Sequence, residues 1–218
     1  MTWDEMAPLL WEATWQTGVM VGWAAVFTVL LGLPLGVALV VFDRGGLRPL
    51  PVLKSVLGVI VNVGRSLPFI VLMIAIIPFT RLVVGTTIGT AAVVVPLTVG
   101  AVPFFARLVE TALREVDRDV IQAAQAMGAG RGAVVWKVLL PEALPGIVAG
   151  VTVTVVALIG YTAMAGTIGG GGLGDLAIRY GYQRFETAVM IVTVVVLIVI
   201  VQIMQSLGDL LARRLSHK

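Results

Sequence analysis

The sequence predicts an all-α protein that crosses a membrane several times. Of its 218 residues, 59% are hydrophobic and 12% are charged, and the mean hydropathy is +1.04. A soluble domain usually carries about 25% charged residues. This chain has too little polar surface to cover a globule of its size in water, so lipid must be the solvent for much of it.

Long uncharged intervals define five predicted transmembrane helices. Four intervals contain no charged side chain and the fifth contains only Arg65, and each covers or exceeds the roughly 20 residues that a spanning helix needs. The predicted spans are 17–42, 55–77, 86–106, 145–166 and 187–207. The first run follows Asp4, Glu5 and Glu12 instead of a basic segment, so we interpret it as a retained helix and not as a signal peptide.

The distribution of basic residues predicts the orientation, because short cytoplasmic loops are enriched in lysine and arginine. Eleven basic residues fall on one face and three on the other. The larger group is Arg44, Arg48, Lys54, Arg107, Arg114, Arg118, Arg131, Lys137, Arg213, Arg214 and Lys218, and the smaller group is Arg81, Arg179 and Arg184. We therefore expect segment 1–16 outside the cytoplasm and the tail 208–218 inside it.

Proline and glycine interrupt several predicted spans. These residues are Gly32, Pro34, Gly36, Pro68, Pro96 and Pro103. Membrane helices tolerate such residues better than soluble helices do. The alternative interpretation is that they create kinks and close helix packing around a translocation path.

Composition excludes several kinds of site. The chain has no cysteine, so it can form neither a disulfide nor a cysteine-based metal site. Its one histidine, His217, is expected to be a solvated tail residue. The net charge of +3 arises from basic residues spread along loops, whereas nucleic-acid binding needs them gathered on one face. We expect neither a metal nor a nucleic acid as a partner.

The predicted cytoplasmic loop 107–144 is too long to be a mere connector. Helical spacing of apolar residues predicts a short helix from Asp119, which we expect to cap it. Glycines at 128, 130 and 132 end this helix, and a second short helix over 133–140 runs into Pro141. Such a helix lies in the lipid interface or docks on a partner protein. Its small residues favour docking.

The loop also carries a spaced motif of small and apolar residues. The motif consists of Gln122, Ala123 and Ala124, then Gly128 after three residues, Val138 after nine more, and finally Leu140 and Pro141. This spacing resembles the EAA loop of bacterial ABC importer permeases, in which a glutamate occupies the position of Gln122. The resemblance implies that these residues, together with Met127, form a coupling helix that sits in a cleft of a cytoplasmic ATPase.

The resemblance extends over nearly the whole chain and is narrower than the superfamily. The segments that carry it are 62–70, 77–89, 95–110, 137–148 and 171–174. They resemble the permease subunits of methionine importers, although permeases for other small amino acids share much of the pattern. The implied fold is the transmembrane domain of a type I ABC importer, with methionine as the expected cargo.

The resemblance also implies the partners and the mechanism. A permease of this kind works as a homodimer in the bacterial inner membrane, with two ATPase subunits and an extracytoplasmic substrate-binding protein or lipoprotein. The ATPase uses ATP-Mg, and the permease itself binds no cofactor and has no catalytic residue. ATP binding then drives the spans between inward-facing and outward-facing states.

Two glycine patterns bear on nucleotide binding. The chain contains no G-x-x-x-x-G-K-[ST] loop, so it lacks its own phosphate cradle. A G-x-G-x-x-G pattern occurs at Gly169, Gly171 and Gly174, but no strand–helix unit or acidic ribose partner surrounds it. We interpret it as a flexible loop at the outer face, where a binding protein would deliver cargo.

Two other classes of function find less support in the residues than the importer does. An ion-coupled secondary transporter needs ionisable groups in the membrane, and the predicted spans contain no Asp or Glu. A membrane enzyme needs a nucleophile and a base, and the hydroxyls of the spans have no base beside them. Arg65, which shares a helical face with Asn62, is interpreted either as a structural cation or as a residue of gating or helix contact.

Candidate cargo contacts lie on the outer half of the fourth predicted span. They are Tyr161, Thr162, Met164 and Gly166. A methionine side chain is apolar and polarizable, so a pathway lined by aliphatic side chains and Met164 would suit it. Ordinary helix packing is the alternative interpretation of the same residues.

Overall fold

Ten α-helices account for most of the chain in the computed structural model, which describes residues 2–216. The α-helices are α1 (Trp3–Val41), α2 (Pro51–Ser66), α3 (Phe69–Ala75), α4 (Ile77–Val84), α5 (Thr90–Arg114), α6 (Arg118–Ala126), α7 (Arg131–Val134), α8 (Leu140–Ala165), α9 (Gly172–Leu176) and α10 (Thr187–Leu215). The described part of the chain has no β-strand. The expectation for His217 lies outside the described residues.

Three short segments of other helical geometry connect these helices. A π-helix, Val135–Leu139, joins α7 to α8, and a 3-10 turn, Gly166–Ile168, follows α8. A second π-helix, Ala177–Tyr182, follows α9. Together α7, the first π-helix, α8 and the 3-10 turn make one continuous run of 38 residues.

Four helical runs are long and apolar enough to cross a membrane, and a bent pair can supply a fifth span. The four runs are α1, α5, the run Arg131–Ile168 and α10. The pair is α2 and α3, which meet at an angle of 105°. The all-α, multi-pass class predicted from the sequence is therefore confirmed.

The second predicted span, 55–77, is bent at Pro68, one of the residues expected to interrupt the spans. Leu67, which precedes Pro68, has extended geometry, with φ −81° and ψ 126°. The proline ring disfavours the α conformation in the residue before it. The chain therefore turns at Leu67 and restarts as α3 at Phe69.

Helix ends differ from the span ends predicted from charge. Helix α1 begins at Trp3, where the backbone N–H of Thr2 donates to Glu5 at 2.9 Å. Its 39 residues measure about 58 Å, almost twice the hydrocarbon thickness of about 30 Å. Helix α5 continues to Arg114, and so takes residues 107–114 from the predicted loop. The uncharged runs mark the residues expected to lie in lipid, and both α1 and α5 extend beyond those residues.

The prediction that Pro141 ends the second short helix is also wrong. Pro141 lies in the first turn of α8, where a missing N–H costs no hydrogen bond. The preceding π-helix leads the chain into α8 without a break, since the Leu140 N–H donates to the Val135 carbonyl. The segment after the loop's glycines therefore continues into α8 as one unbroken helical run.

The core depends on close approach between α1 and α5. A Cβ placed on Gly32 would lie 2.8 Å from the Phe105 ring, and one on Gly36 would lie 2.6 Å from the Val109 Cβ. Both distances are below van der Waals contact. The glycines of the first predicted span therefore serve close helix packing.

We predict that Gly36→Leu destabilises the fold, because the new side chain would overlap Val109 and the Ala106 carbonyl. The expected loss is about 1–3 kcal/mol or more, seen as a lower thermal midpoint of the purified protein in detergent. Gly22→Leu on the same helix is the control, since nothing lies within 4 Å of its Cβ position. Equal midpoints for the two variants would contradict the packing role.

Candidate functional site

The predicted coupling helix is α6, and its two ends are built from local hydrogen bonds. The side chain of Asp117 accepts from the Asp119 N–H at 2.9 Å, so Asp117 is the N-cap. The prediction that Asp119 caps the helix is wrong by two positions, since Asp119 lies in the first turn. At the other end Gly128 adopts φ +86°, a left-handed conformation that ends the helix.

Ala124 and Met127, which lie three positions apart on one side of the helix, differ in burial because Met127 is at the C-terminal cap. Ala124 is only 7% exposed and packs in a core cluster with Leu113 and Leu139. Met127 is 83% exposed. The expectation that Ala124 belongs to the docking face is therefore corrected, because its methyl group lies against its own subunit.

We call a set of exposed residues of α6 and of the turn that follows it the coupling surface. It consists of Gln122, Ala123, Gln125, Met127 and Gly128, all of which are exposed. It carries no formal charge, and it combines two amides with small and apolar groups. Such a surface suits close contact with another protein more than contact with bulk water.

The second half of the motif lies at the base of α8. Val138 and Leu140 are half-buried and Pro141 is exposed, whereas Leu139 between them is buried. Trp136, in the same π-helix, is 73% exposed. Sequence reasoning missed Trp136. Helical periodicity groups residues on one side of a helix, but it does not show whether that side is buried or exposed.

A buried carboxylate organises the predicted cytoplasmic end of α5. Glu110 is 3% exposed. It accepts from Arg107 Nη1 at 2.6 Å and from Arg114 Nη2 at 2.9 Å. Removing either arginine would leave this buried carboxylate with one charged partner fewer, which is unfavourable. Sequence reasoning missed this cluster, although the i,i+3 and i,i+4 spacing of the three residues signals it.

The same two arginines tie α5 to neighbouring segments. Arg107 Nη2 donates to Asn62 Oδ1 on α2 at 2.6 Å. Arg114 Nη2 donates to Asp43 Oδ2 in the α1–α2 connection, also at 2.6 Å. One face of α5 therefore fixes the position of both the α1–α2 connection and α2.

The two intramembrane polar residues of the second predicted span have different surroundings. Asn62 accepts the hydrogen bond from Arg107. Arg65 is exposed, and no hydrogen bond or ion pair joins it to another residue between 2 and 216. The structure thus brings Asn62 into the α5 network and leaves Arg65 outside it.

The hydrogen bond from the Arg114 guanidinium lowers the pKa of the Asp43 carboxyl below its ordinary value of 3.8. Lys54, with its Nζ 3.6 Å from Asp43 Oδ1, acts in the same direction. Asp43 therefore stays ionised across the physiological pH range. A lowered carboxyl pKa means that the ionised form stabilises the fold.

The glycine segment 169–174, expected from the sequence to be a flexible loop, packs against α1 through hydrogen bonds. The Gly172 N–H donates to Gln16 Oε1 at 2.8 Å, and the Leu173 N–H donates to Thr17 Oγ1 at 2.9 Å. Gly172 and Leu173 are buried. Positive φ angles at Gly169, Gly171 and Gly172 make the tight path possible. The segment thus fastens the far end of α8 to α1.

The four candidate cargo residues occupy different environments. The ring of Tyr161 stacks on Phe69, with centroids 4.4 Å apart. Met164 is 46% exposed. The Thr162 hydroxyl is buried and donates to the Ile159 carbonyl at 2.7 Å. Gly166 is also buried, and a Cβ there would collide with the backbone of Asp175. Of the four residues, only Met164 is exposed, and Tyr161 is half-buried against the core.

The structure thus combines helices long enough to cross a membrane with a short helix, α6, that packs at one end of the bundle. The chain matches the family of binding-protein-dependent transport system inner membrane components over residues 29–217. It belongs to that family, whose members are multi-pass inner-membrane subunits.

Two relatives and one solved structure show the likeness in detail. A probable D-methionine transport system permease protein MetI of Vibrio cholerae is 57% identical over 210 residues, covering 96% of this chain and 93% of the relative. The methionine import system permease protein MetP of Bacillus subtilis is 45% identical, covering 93% and 91%. A chain from a structure of inward-facing conformations of the MetNI methionine ABC transporter has a TM-score of 0.97 at 44% identity, and each chain is covered completely.

We predict that Asp43→Asn lowers the thermal midpoint by about 2–4 °C near neutral pH. The pKa of Asp43 is depressed, so its contribution is fully present above 3.8 and is lost as the pH falls through the lowered value. The two proteins should therefore differ at neutral pH and converge in strong acid. A difference that grows on acidification would contradict this assignment.

Proposed function

We propose that this chain is the membrane-spanning subunit of an ATP-driven importer that carries methionine into the cytoplasm. The observation that carries the proposal is the complete superposition on a chain of the MetNI methionine ABC transporter, with a TM-score of 0.97 and 44% identity. The named methionine permeases among the relatives support the same cargo. The chain itself hydrolyses nothing, and ATP-Mg is used by a separate ATPase subunit.

The proposed assembly contains two copies of this chain, two cytoplasmic ATPase subunits and an extracytoplasmic binding protein. Residues 1–16 then lie on the outer side and the tail 208–218 lies in the cytoplasm. The imbalance of basic residues supports this orientation. In the same orientation, the glycine segment 169–174 faces the side from which a binding protein delivers cargo.

The coupling surface is where we place the contact with the ATPase. Its groups are exposed and uncharged. Docking therefore does not require water to be removed from a charged side chain of this surface. The Gln122 amide can donate as well as accept hydrogen bonds, whereas the family's glutamate at this position only accepts when ionised. Docking here therefore relies on shape and amide contacts more than on an ion pair.

Movement of α6 must reach the spans, and its buried side provides the route. Ala124 packs in one cluster with Leu113 of α5 and Leu139 at the base of α8. A displacement of the ATPase therefore shifts these two helices together, as a rigid-body change requires. ATP biases the two states only if the docked contacts differ between them.

For the cargo path, Tyr161 and Met164 are the candidates that keep accessible side-chain surface. Met164 offers a soft thioether, which matches the side chain of the proposed cargo. Thr162 and Gly166 are packed inside the subunit in this conformation. They would contact cargo only after α8 and the glycine segment separate.

The cargo is tested by reconstituting the permease in liposomes with its ATPase and binding protein. We expect ATP-dependent uptake of methionine, measured with radiolabelled amino acid against a panel of others. Transport of a different amino acid would remove the cargo assignment and keep the importer. Uptake driven by an ion gradient without the ATPase would overturn the importer itself.

We predict that Ala123→Glu weakens co-purification of the ATPase while leaving the thermal midpoint of the permease unchanged. The new carboxylate would stand on the exposed coupling surface, where it would be desolvated by docking. Recovery of ATPase on the immobilised permease measures the effect.

Ala124→Glu, one residue further along, is the matched comparison. Its carboxylate would enter the cluster around Leu113 and Leu139, so it should lower the thermal midpoint of the permease itself. If Ala123→Glu left ATPase recovery intact, the coupling surface would not be the docking site.

A further inference from the structure

Four consecutive exposed residues lie where the second π-helix leads into α10. They are Tyr182, Gln183, Arg184 and Phe185, and we call them the aromatic loop. Tyr182 is 70% exposed and Phe185 is 85% exposed. Two large aromatic side chains are thus exposed at a single turn of the chain, and neither belongs to the coupling surface or to the candidate cargo path.

The aromatic loop lies at the end of the bundle opposite α6. Leu10, near the start of α1, packs in one cluster with Leu176 and Val189, which precede and follow the loop. Val40, near the end of α1, packs on the cluster that contains Ala124 of α6. Helix α1 is unbroken between these two points, a distance of about 45 Å. Because α6 is the proposed ATPase contact, the aromatic loop faces the side on which the proposed binding protein docks.

Hydrogen bonds hold the aromatic loop in one shape. The Gln183 N–H donates to the Ile178 carbonyl at 2.8 Å, and the Glu186 N–H donates to the Tyr180 carbonyl at 3.1 Å. Phe185 has φ +59°, and between residues 2 and 216 it is the only residue other than glycine with a positive φ. A bulky residue seldom adopts this conformation, which persists where surrounding contacts impose it. The structure therefore fixes the direction in which Phe185 projects.

The segment also brings positive charge to this surface. Arg179 and Arg184 are two of the three basic residues predicted for the outer face, where short loops usually carry few of them. Their guanidinium groups lie 5.5 and 4.5 Å from the centroid of the Tyr180 ring, and Arg179 also pairs with Asp175. Arginine and aromatic side chains are enriched at protein–protein interfaces. The surface therefore suits a protein that offers carboxylates beside an apolar recess.

We propose that the aromatic loop is the docking contact for the extracytoplasmic binding protein. Phe185 enters an apolar recess of that protein, and Arg184 pairs with a carboxylate beside the recess. The loop is already fixed, so docking loses little conformational entropy. Gly181, which precedes the loop, is buried against Met190 of α10, so docking acts directly on that helix. The inference rests on the proposed importer, since only an importer of that kind has this partner.

A lipid anchor is the alternative role for the exposed ring of Tyr182, because tyrosine and tryptophan are enriched at membrane–water interfaces. Lipid is fluid and accommodates an aromatic side chain on any backbone. It therefore gives no reason for the positive φ of Phe185 or for the hydrogen bonds that close the loop. A shaped protein surface, in contrast, requires a side chain that projects in one direction. These observations favour a protein partner.

The test is the affinity of the binding protein for the permease–ATPase complex in lipid nanodiscs, measured by surface plasmon resonance. We expect Phe185→Gly and Arg184→Gln each to raise the Kd about 10-fold or more. Glycine adopts a positive φ without strain, so Phe185→Gly should preserve the thermal midpoint and remove only the ring.

Two control variants match these changes. Trp23→Ala removes exposed aromatic surface from α1, and Arg81→Gln removes an equal charge from α4 on the same predicted face. Each control should change the Kd less than about twofold. Recovery of the ATPase with every variant checks that loss of docking is not loss of assembly.

Four results would count against the loop. An unchanged Kd in both loop variants would exclude it as the docking contact and leave the importer in place. Equal weakening by Arg81→Gln and Arg184→Gln would show a diffuse charge effect. Variants that bind normally but have a lower thermal midpoint in nanodiscs, and not in detergent, would identify a lipid anchor. Failure of the unmodified complex to bind the binding protein would overturn the importer itself, and this contact with it.

Discussion

The packing of α6 on the bundle is the contact on which the proposed coupling to an ATPase depends. Ala124 and Leu139 belong to one buried cluster with Leu113 of α5. Without that contact the short helix would be an amphipathic segment free to move on its own. With that contact in place, a partner bound to the exposed side of α6 would displace α5 and α8 together. A helix of nine residues is marginal in isolation, so the tertiary contact also keeps it folded.

A second constraint fixes the same end of the bundle by electrostatics. Glu110 is buried between Arg107 and Arg114, and each arginine reaches one further partner on another segment. A buried carboxylate is tolerated only when it is paired and hydrogen-bonded. The network therefore sets the register of α5 against the α1–α2 connection and α2. Apolar packing fixes the faces of these helices, and the charges fix their positions along the bundle.

The sequence was sufficient to predict the all-α, multi-pass class and the position of α6. It was insufficient to predict where the helices end and which of their residues face the bundle. Uncharged runs mark residues suited to lipid, so they located the long apolar helices but missed the extension of α1 to Trp3 and of α5 to Arg114. The period of α6 identified Ala124 and Met127 as apolar positions without distinguishing inward from outward. That distinction depends on Leu113 and Leu139, which lie far along the chain. The glycine segment suggested mobility because its partners, Gln16 and Thr17, come from the opposite end of the sequence.

The unbroken run from Arg131 to Ile168 has a mechanical consequence. Its 38 residues form a rod of about 57 Å, with no loop between its base at the coupling segment and its tip at the glycine segment. A stiff rod amplifies small rotations, so a tilt of about 5° at the base displaces the tip by about 5 Å. Because the tip is tied to α1, such a swing would pull on Gln16 and Thr17 at the opposite membrane surface.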